Sequence, residues 1–221
     1  MLAKLLKKLE MKAKPHVRRE ASAERISEAA DARTQKLEQE RKLKIKAALD
    51  SLLKGMNAFQ AGKPDVAIGN FQAGYLSYRD AGDRKRAALM QKIIGLILMS
   101  VEDYKKGDAA FQRSCDMLKM ASLPSEVGRI LLLRARYEAK IGTNEKMKRW
   151  LREAIATYKD AKDTAGTIEA LCTDGELGLR RGRRAEAQKN IEEAKTLLDE
   201  LDDEAKPAAL ARIADVEAMI G

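Results

Sequence analysis

A forty-residue repeat constrains this chain more than any other feature. Stepping from Gly55 gives Gly95, Ala135 and Gly175; from Gly62, Glu102, Gly142 and Gly182; and from Ala67, Gly107, Met147 and Ala187. The Phe71 column continues as Phe111, Leu151 and Ile191, and the Gly74 column as Ser114, Ala154 and Ala194. Columns that stay in register through four copies mean stacked helical hairpins, none able to bury its apolar face without a neighbour. Aromatics make up 4 % of the 221 residues and charged residues 35 %, a mix that suits long helices, and no useful stretch alternates with period two. The fold class that follows is all-α.

The repeats are expected over 47–204, as units 48–82, 83–123, 124–162 and 163–203. First helices are predicted near 48–61, 84–101, 125–141 and 164–180, and second helices near 64–80, 104–120, 144–160 and 185–199. Short polar links such as Gly82-Asp83, Lys162-Asp163 and Asp202-Asp203 join them. Over 205–221 a last helix, opened by Pro207, fills the first-helix slot of a fifth copy and caps the final apolar face.

Ahead of the repeats stands a basic arm, 1–46. Residues 1–49 hold nine Lys and five Arg against seven acidic residues, a net +7 out of +9 for the whole chain. Leu2, Leu5, Leu6 and Leu9 fall at helical spacing with Lys4, Lys7, Lys8 and Lys12 around them, a basic amphipathic helix too interrupted for a signal core or a membrane span. Three roles are open to it: docking on this protein or a partner, reversible contact with anionic lipid, or organelle targeting. Pro15 is expected to end this helix. Residues 17–46 then read as a long exposed helix without a clean heptad, since Arg33 stands where a count from Ile26 wants an apolar residue. Its alternative use is self-association.

The order of small residue, turn glycine, small residue, aromatic and small residue at Gly55, Gly62, Ala67, Phe71 and Gly74 resembles the tetratricopeptide repeat. At forty residues it is more similar to the longer-helix variants of kinesin light chain and the Leu-Gly-Asn-repeat polarity proteins. The resemblance covers 48–201. It departs from the family at the early aromatic of each first helix, replaced by Ser51, Gln91, Leu131 and Leu171, at the missing closing proline, and at Met147, which is expected to open its hairpin. The resemblance implies a right-handed α-solenoid of about four hairpins, whose first helices line a concave groove.

By the same resemblance the groove slots are Leu49, Leu52, Met56 and Phe59; Leu89, Lys92, Leu96 and Met99; Arg129, Leu132, Arg136 and Ala139; and Glu169, Cys172, Glu176 and Leu179, with Lys140 and Arg180 one position further round. A Met-containing apolar stretch suits an amphipathic helix as ligand, and Lys92, Arg129, Arg136, Lys140 and Arg180 could clamp the carboxylates of an acidic peptide. Alternatively, some of the leucines pack on the protein's own arm.

Catalysis is not expected. The only histidine, His16, lies in the arm, so no Ser/His/Asp or Cys/His set exists. Gly55 and Gly62-Lys63 imitate a phosphate loop, but six residues separate the glycines and Pro64 occupies the Ser/Thr position. Cys115 and Cys172 are far apart and read as buried apolar residues in a reducing compartment, with no cofactor or metal. The turn Arg180-Arg181-Gly182-Arg183-Arg184 could hold phosphates, yet no aromatic stands beside it to stack a base, which argues against nucleic acid. The expected protein is a cytoplasmic, non-enzymatic adaptor, peripheral at a membrane where the arm is used. The alternatives are anionic membrane or nucleic-acid binding through the arm, and a structural subunit of a larger assembly.

Overall fold

The computed structural model describes the backbone of residues 2–221 and the side chains of residues 29–221. Leu2, Lys4, Leu5, Leu6, Lys7, Lys8 and Leu9 lie outside the residues whose side chains are described. Within those limits the chain is all-helical: α1 (Leu2–Gln60), α2 (Pro64–Asp80), α3 (Arg84–Ser100), α4 (Tyr104–Met120), α5 (Pro124–Ile141), α6 (Asn144–Asp160), α7 (Thr164–Leu179), α8 (Arg184–Thr196), a 3-10 turn (Leu198–Glu200) and α9 (Lys206–Ile220).

One expectation fails at the N-terminus. α1 continues through Pro15, where a helix end was predicted, and through the expected arm boundary at 46. A proline removes a single amide donor, and the flanking Lys, Ala, Arg and Glu residues are good helix formers, so the helix resumes beyond it. The arm and the first helix of the first hairpin are therefore one element.

The turns reveal a finer period than the sequence displays. Residues 62, 82, 102, 122, 142, 162 and 182, spaced by twenty, all have positive φ, from 54° at Lys162 to 85° at Gly142. At each turn the next residue's N–H reaches back five residues: Lys63 to the Ala58 carbonyl, Asp83 to Tyr78, Asp103 to Leu98, Leu123 to Leu118, Thr143 to Glu138, Asp163 to Tyr158 and Arg183 to Gly178, at 2.9–3.0 Å. This bond satisfies a helix-end carbonyl and needs a left-handed residue just before the donor. Turns within hairpins and turns between them are thus the same turn. The carboxylates of Asp83, Asp103 and Asp163 then cap the following helices, accepting from the amides of Arg86, Lys106 and Gly166.

Three of these left-handed positions carry side chains: Glu102, Ser122 and Lys162. A Cβ there costs about 1–2 kcal/mol, partly offset by the greater unfolded-state freedom of glycine. Glu102→Gly, Ser122→Gly and Lys162→Gly are each expected to raise stability by about 0.5–1 kcal/mol, additively, as urea midpoints would show. Gly62→Ala should move the midpoint the other way.

Successive helices pack on their neighbours, most closely as α1/α2, α3/α4 and α5/α6, while α9 closes over α7 and α8. Size complementarity sets the pairing within hairpins. The Phe71 ring lies on Gly55 and the Phe111 ring on Gly95, where an added Cβ would meet the ring at 2.9 and 2.7 Å; the third hairpin places Ala135 and Leu151 in the same columns, both buried. Met147 is fully buried in the central cluster. At the far end Ile213 and Val216 of α9 join Ile168, Leu171, Cys172 and Ile191 in a terminal cluster.

The opposite end is polar. Where α3 buries Ala87, Met90, Ile94 and Ile97, the corresponding residues of α1 are Ala47, Asp50, Lys54 and Asn57, all exposed. Residues 29–44 of α1 are exposed on every side, and the first buried residue among those described is Ala48. Among the described residues, the hydrogen bond from α1 to the body that lies furthest toward its N-terminus is that of Lys44 Nζ, which donates to the Asp80 carbonyl at 3.3 Å. Residues 29–44 thus do not dock in the expected groove.

Candidate functional site: one face of the odd-numbered helices

Three sequence columns, each advancing by forty, come to one face of α1, α3, α5 and α7. On α1 they hold Leu49, Leu53 and Met56, on α3 Leu89, Ile93 and Leu96, on α5 Arg129, Leu133 and Arg136, and on α7 Glu169, Thr173 and Glu176. The spacing i, i+4, i+7 keeps all three on one side of each helix. The face therefore grades from wholly apolar, through a cationic helix, to an anionic one.

The apolar end is open. Leu49, Leu53, Met56 and Phe59 are 46–58 % exposed, Leu89 is 40 % exposed, and Leu52, Lys92 and Leu96 are partly buried. A cavity of about 640 Å³ follows along α3 and α5, lined by Leu89, Lys92, Arg129 and Ile130 among others. Lys85 and Lys92 line it without an ion-pair partner among the described residues, whereas Arg86 is bound to Asp83 and Arg129 to Glu126, each at 2.9 Å. Lys92, Arg129 and Arg136 also line the adjoining cavity, of about 430 Å³, that leads to α7.

Met99 does not belong to this face. It is 6 % exposed and packs on Gly107 of α4, whose missing side chain leaves room for the thioether. Leu132 and Cys172 are likewise core residues. Burial pushes the thiol of Cys115 up to about 11 and that of Cys172 up to about 12, so neither presents a thiolate at neutral pH.

Three cations of the charged end, Arg136, Arg180 and Arg212, are already engaged. Arg136 donates to Glu169 at 2.6 Å and to the Thr173 hydroxyl at 3.1 Å. Arg180 donates to Glu176 at 2.7 Å. Arg212 of α9 reaches both glutamates, Glu169 at 3.2 Å and Glu176 at 2.7 Å. Burial pushes the Glu176 carboxyl up, but the hydrogen bond and charge of Arg212, with Arg180 and Arg136 behind them, outweigh it and hold the group below the usual range. Lys140 stands over the Tyr137 ring at 5.3 Å and has no carboxylate at ion-pair distance among the described residues.

The sequence reading placed no site residue in the column of Leu53, Ile93, Leu133 and Thr173, although the helical stripe through Leu49 and Met56 passes over Leu53. It also omitted Arg212, which one more step of forty from Cys172 reaches. The arginine turn is divided in the structure. Arg181 lies between the helices, donating to the Ala139 carbonyl at 2.9 Å and to Asn144, while Arg183 pairs with Glu186. Among the described residues no group of acidic, Cys and His side chains could hold a metal ion, and no helix is long and apolar enough to cross a membrane. No family model and no curated protein matches this chain.

Proposed function

We propose that the chain is a non-catalytic adaptor, a right-handed tetratricopeptide-like solenoid whose odd-helix face binds an amphipathic segment of a partner protein. The observation that carries this reading is the exposure of Leu49, Leu53 and Met56 on α1 and of Leu89 in the next copy of the same column on α3, with Lys85 and Lys92 lining the cavity beside Leu89. Contiguous exposed apolar side chains with a polar border mark interaction sites. Apolar anchors would supply most of the affinity, and the two lysines would select acidic flanks and set orientation. The engagement of Arg129, Arg136 and Arg180 by internal carboxylates moves the centre of this reading toward α1 and α3, away from an acidic clamp on α5 and α7.

A display selection of random peptides against the full chain tests it. The expected winners carry apolar residues at helical spacing with acidic neighbours. Met56→Asp and Leu89→Asp should each weaken them at least about tenfold, on the order of 1.4 kcal/mol, while leaving helix content unchanged because both side chains are exposed. Winners that bind both variants as tightly as the parent would refute the reading.

The exposed length of α1 supports a second role. Between 29 and 44 it carries five basic and three acidic residues and no packing partner. Such a helix can hold the adaptor on an anionic surface or on a neighbouring copy. Sedimentation with anionic and neutral vesicles, and mass as a function of concentration, separate the two.

A further inference from the structure

The cavity of about 500 Å³ between α5 and α7 is lined by Arg136, Lys140, Arg180 and Arg181 against the single carboxylate of Glu176. We propose that it is a phosphoryl subsite, which takes the phosphomonoester of a phosphorylated peptide lying along the odd-helix face. This rests on the peptide-binding reading above and adds a second contact point to it.

The charge imbalance comes first. Arg136, Lys140, Arg180, Arg181 and Arg212 face Glu169 and Glu176, leaving an excess of three positive charges in one cluster. A phosphomonoester carries about −1.5 to −2 at neutral pH and three acceptor oxygens, so it offsets that excess better than one carboxylate can. Arginine forks and a lysine are the donors that phosphate geometry favours.

The pairing pattern supplies the second argument. Glu169 is held by both Arg136 and Arg212, and Glu176 by both Arg180 and Arg212. When Arg136 or Arg180 turns to an incoming anion, Arg212 still neutralises the glutamate it leaves. Either cation can therefore be released without stranding a partly buried carboxylate, a loss that would otherwise oppose binding. Arg181 stays fixed on the neutral oxygens of Ala139 and Asn144 and contributes an uncompensated charge.

Continuity with the apolar end of the face favours a peptide as the source of the phosphate. Lys92 of α3, Arg129 and Arg136 of α5 and Glu169 of α7 line one cavity, so an extended segment anchored beside Leu89 can follow the face from α3 to α7.

The test is a calorimetric and NMR titration of the full chain with the capped pentapeptide Ala-Ala-pSer-Ala-Ala, its serine and glutamate counterparts, and phosphatidylcholine vesicles doped with a phosphoinositide. The phosphoserine peptide is expected to bind at least about tenfold tighter than either counterpart, with shifts on α5 and α7. Arg180→Gln and Lys140→Gln should each remove most of that preference. Lys105→Gln, which deletes an exposed charge of α4, should leave it unchanged. Equal binding of the three peptides, equal losses in all three variants, or binding to the vesicles alone would overturn the proposal. Met56→Asp separates the two readings: it should weaken capture of selected segments at least about tenfold and spare the pentapeptide. If capture survives while the phosphoserine preference is absent, only the subsite is refuted.

Discussion

Gly128→Ala is expected to destabilise the protein by about 2–3 kcal/mol, near the top of the range for overpacking a core, and to lower the melting temperature by several degrees. A Cβ at this position of α5 would lie 2.6–2.8 Å from three atoms of the Tyr158 ring. That ring is 2 % exposed, and Gly166 of α7 faces it as well. It fills the junction between the third and fourth hairpins and lines the cavity leading toward Glu169. The ring cannot retreat, because both helices approach it through glycines.

The companion experiment reverses the sign. In a Tyr158→Leu background the obstacle is gone, and Gly128→Ala should become neutral or stabilise by up to about 1 kcal/mol, the difference in helix propensity. Urea unfolding of the four proteins of this cycle measures the coupling. An equal penalty in both backgrounds would show that Tyr158 is not what Gly128 accommodates.

Arg134→Ala is the second large effect, about 2–3 kcal/mol. The Arg134 side chain is 5 % exposed and donates to Asp108 at 2.8 Å and to Gln112 at 2.9 Å, while its guanidinium stacks 3.6 Å from the centre of the Trp150 ring. It thereby ties α5 to both α4 and α6. Removing one member of a buried pair costs about 3–5 kcal/mol when the other charge is stranded, but Asp108 is 40 % exposed and can regain water, which lowers the figure. Arg134→Met restores volume beside the indole and should cost less than half as much. Trp150 is the only tryptophan, so its emission reports this position directly. It should move to longer wavelength in the alanine variant and stay near the parent value in the methionine variant.

Neither effect can be read from sequence, and the reason is physical. Periodicity locates a face but not what crosses it. Arg134 occupies a column that holds Lys54, Ile94 and Asp174 in the other repeats, which looks like a surface position. Burial follows from Trp150 and Asp108 arriving from two different helices. The long helices were legible because Gly55, Phe71 and their successors keep strict register, and six of the eight paired helices begin and end within one residue of the expected bounds. The exceptions are α8, which stops at Thr196, and α1, where good helix formers carry the chain past Pro15.

The twenty-residue rhythm stayed hidden because Glu102, Ser122 and Lys162 replace the glycine that announces the same turn at 62, 82, 142 and 182. Among the candidate site residues, the graded character of the face was visible, from Leu and Met to Arg and Glu. What could not be seen was that long side chains three dozen residues apart, such as Arg136 with Glu169 and Arg212 with Glu176, would neutralise one another.

The sameness of the seven turns gives the chain a parity. Deleting or inserting one helix with its turn would leave every backbone connection acceptable, yet it would exchange the odd and even series downstream. By the twenty-residue step Phe71 and Phe111, now sealed inside hairpins, would take the slots of Ser51 and Gln91, and Gly69 and Ala109 those of Leu49 and Leu89. Only steps of two helices preserve which side the Leu49, Leu89, Arg129 and Glu169 column occupies. The chain can therefore gain or lose whole hairpins and keep that graded face continuous, whereas a single-helix change would fold locally and interrupt it.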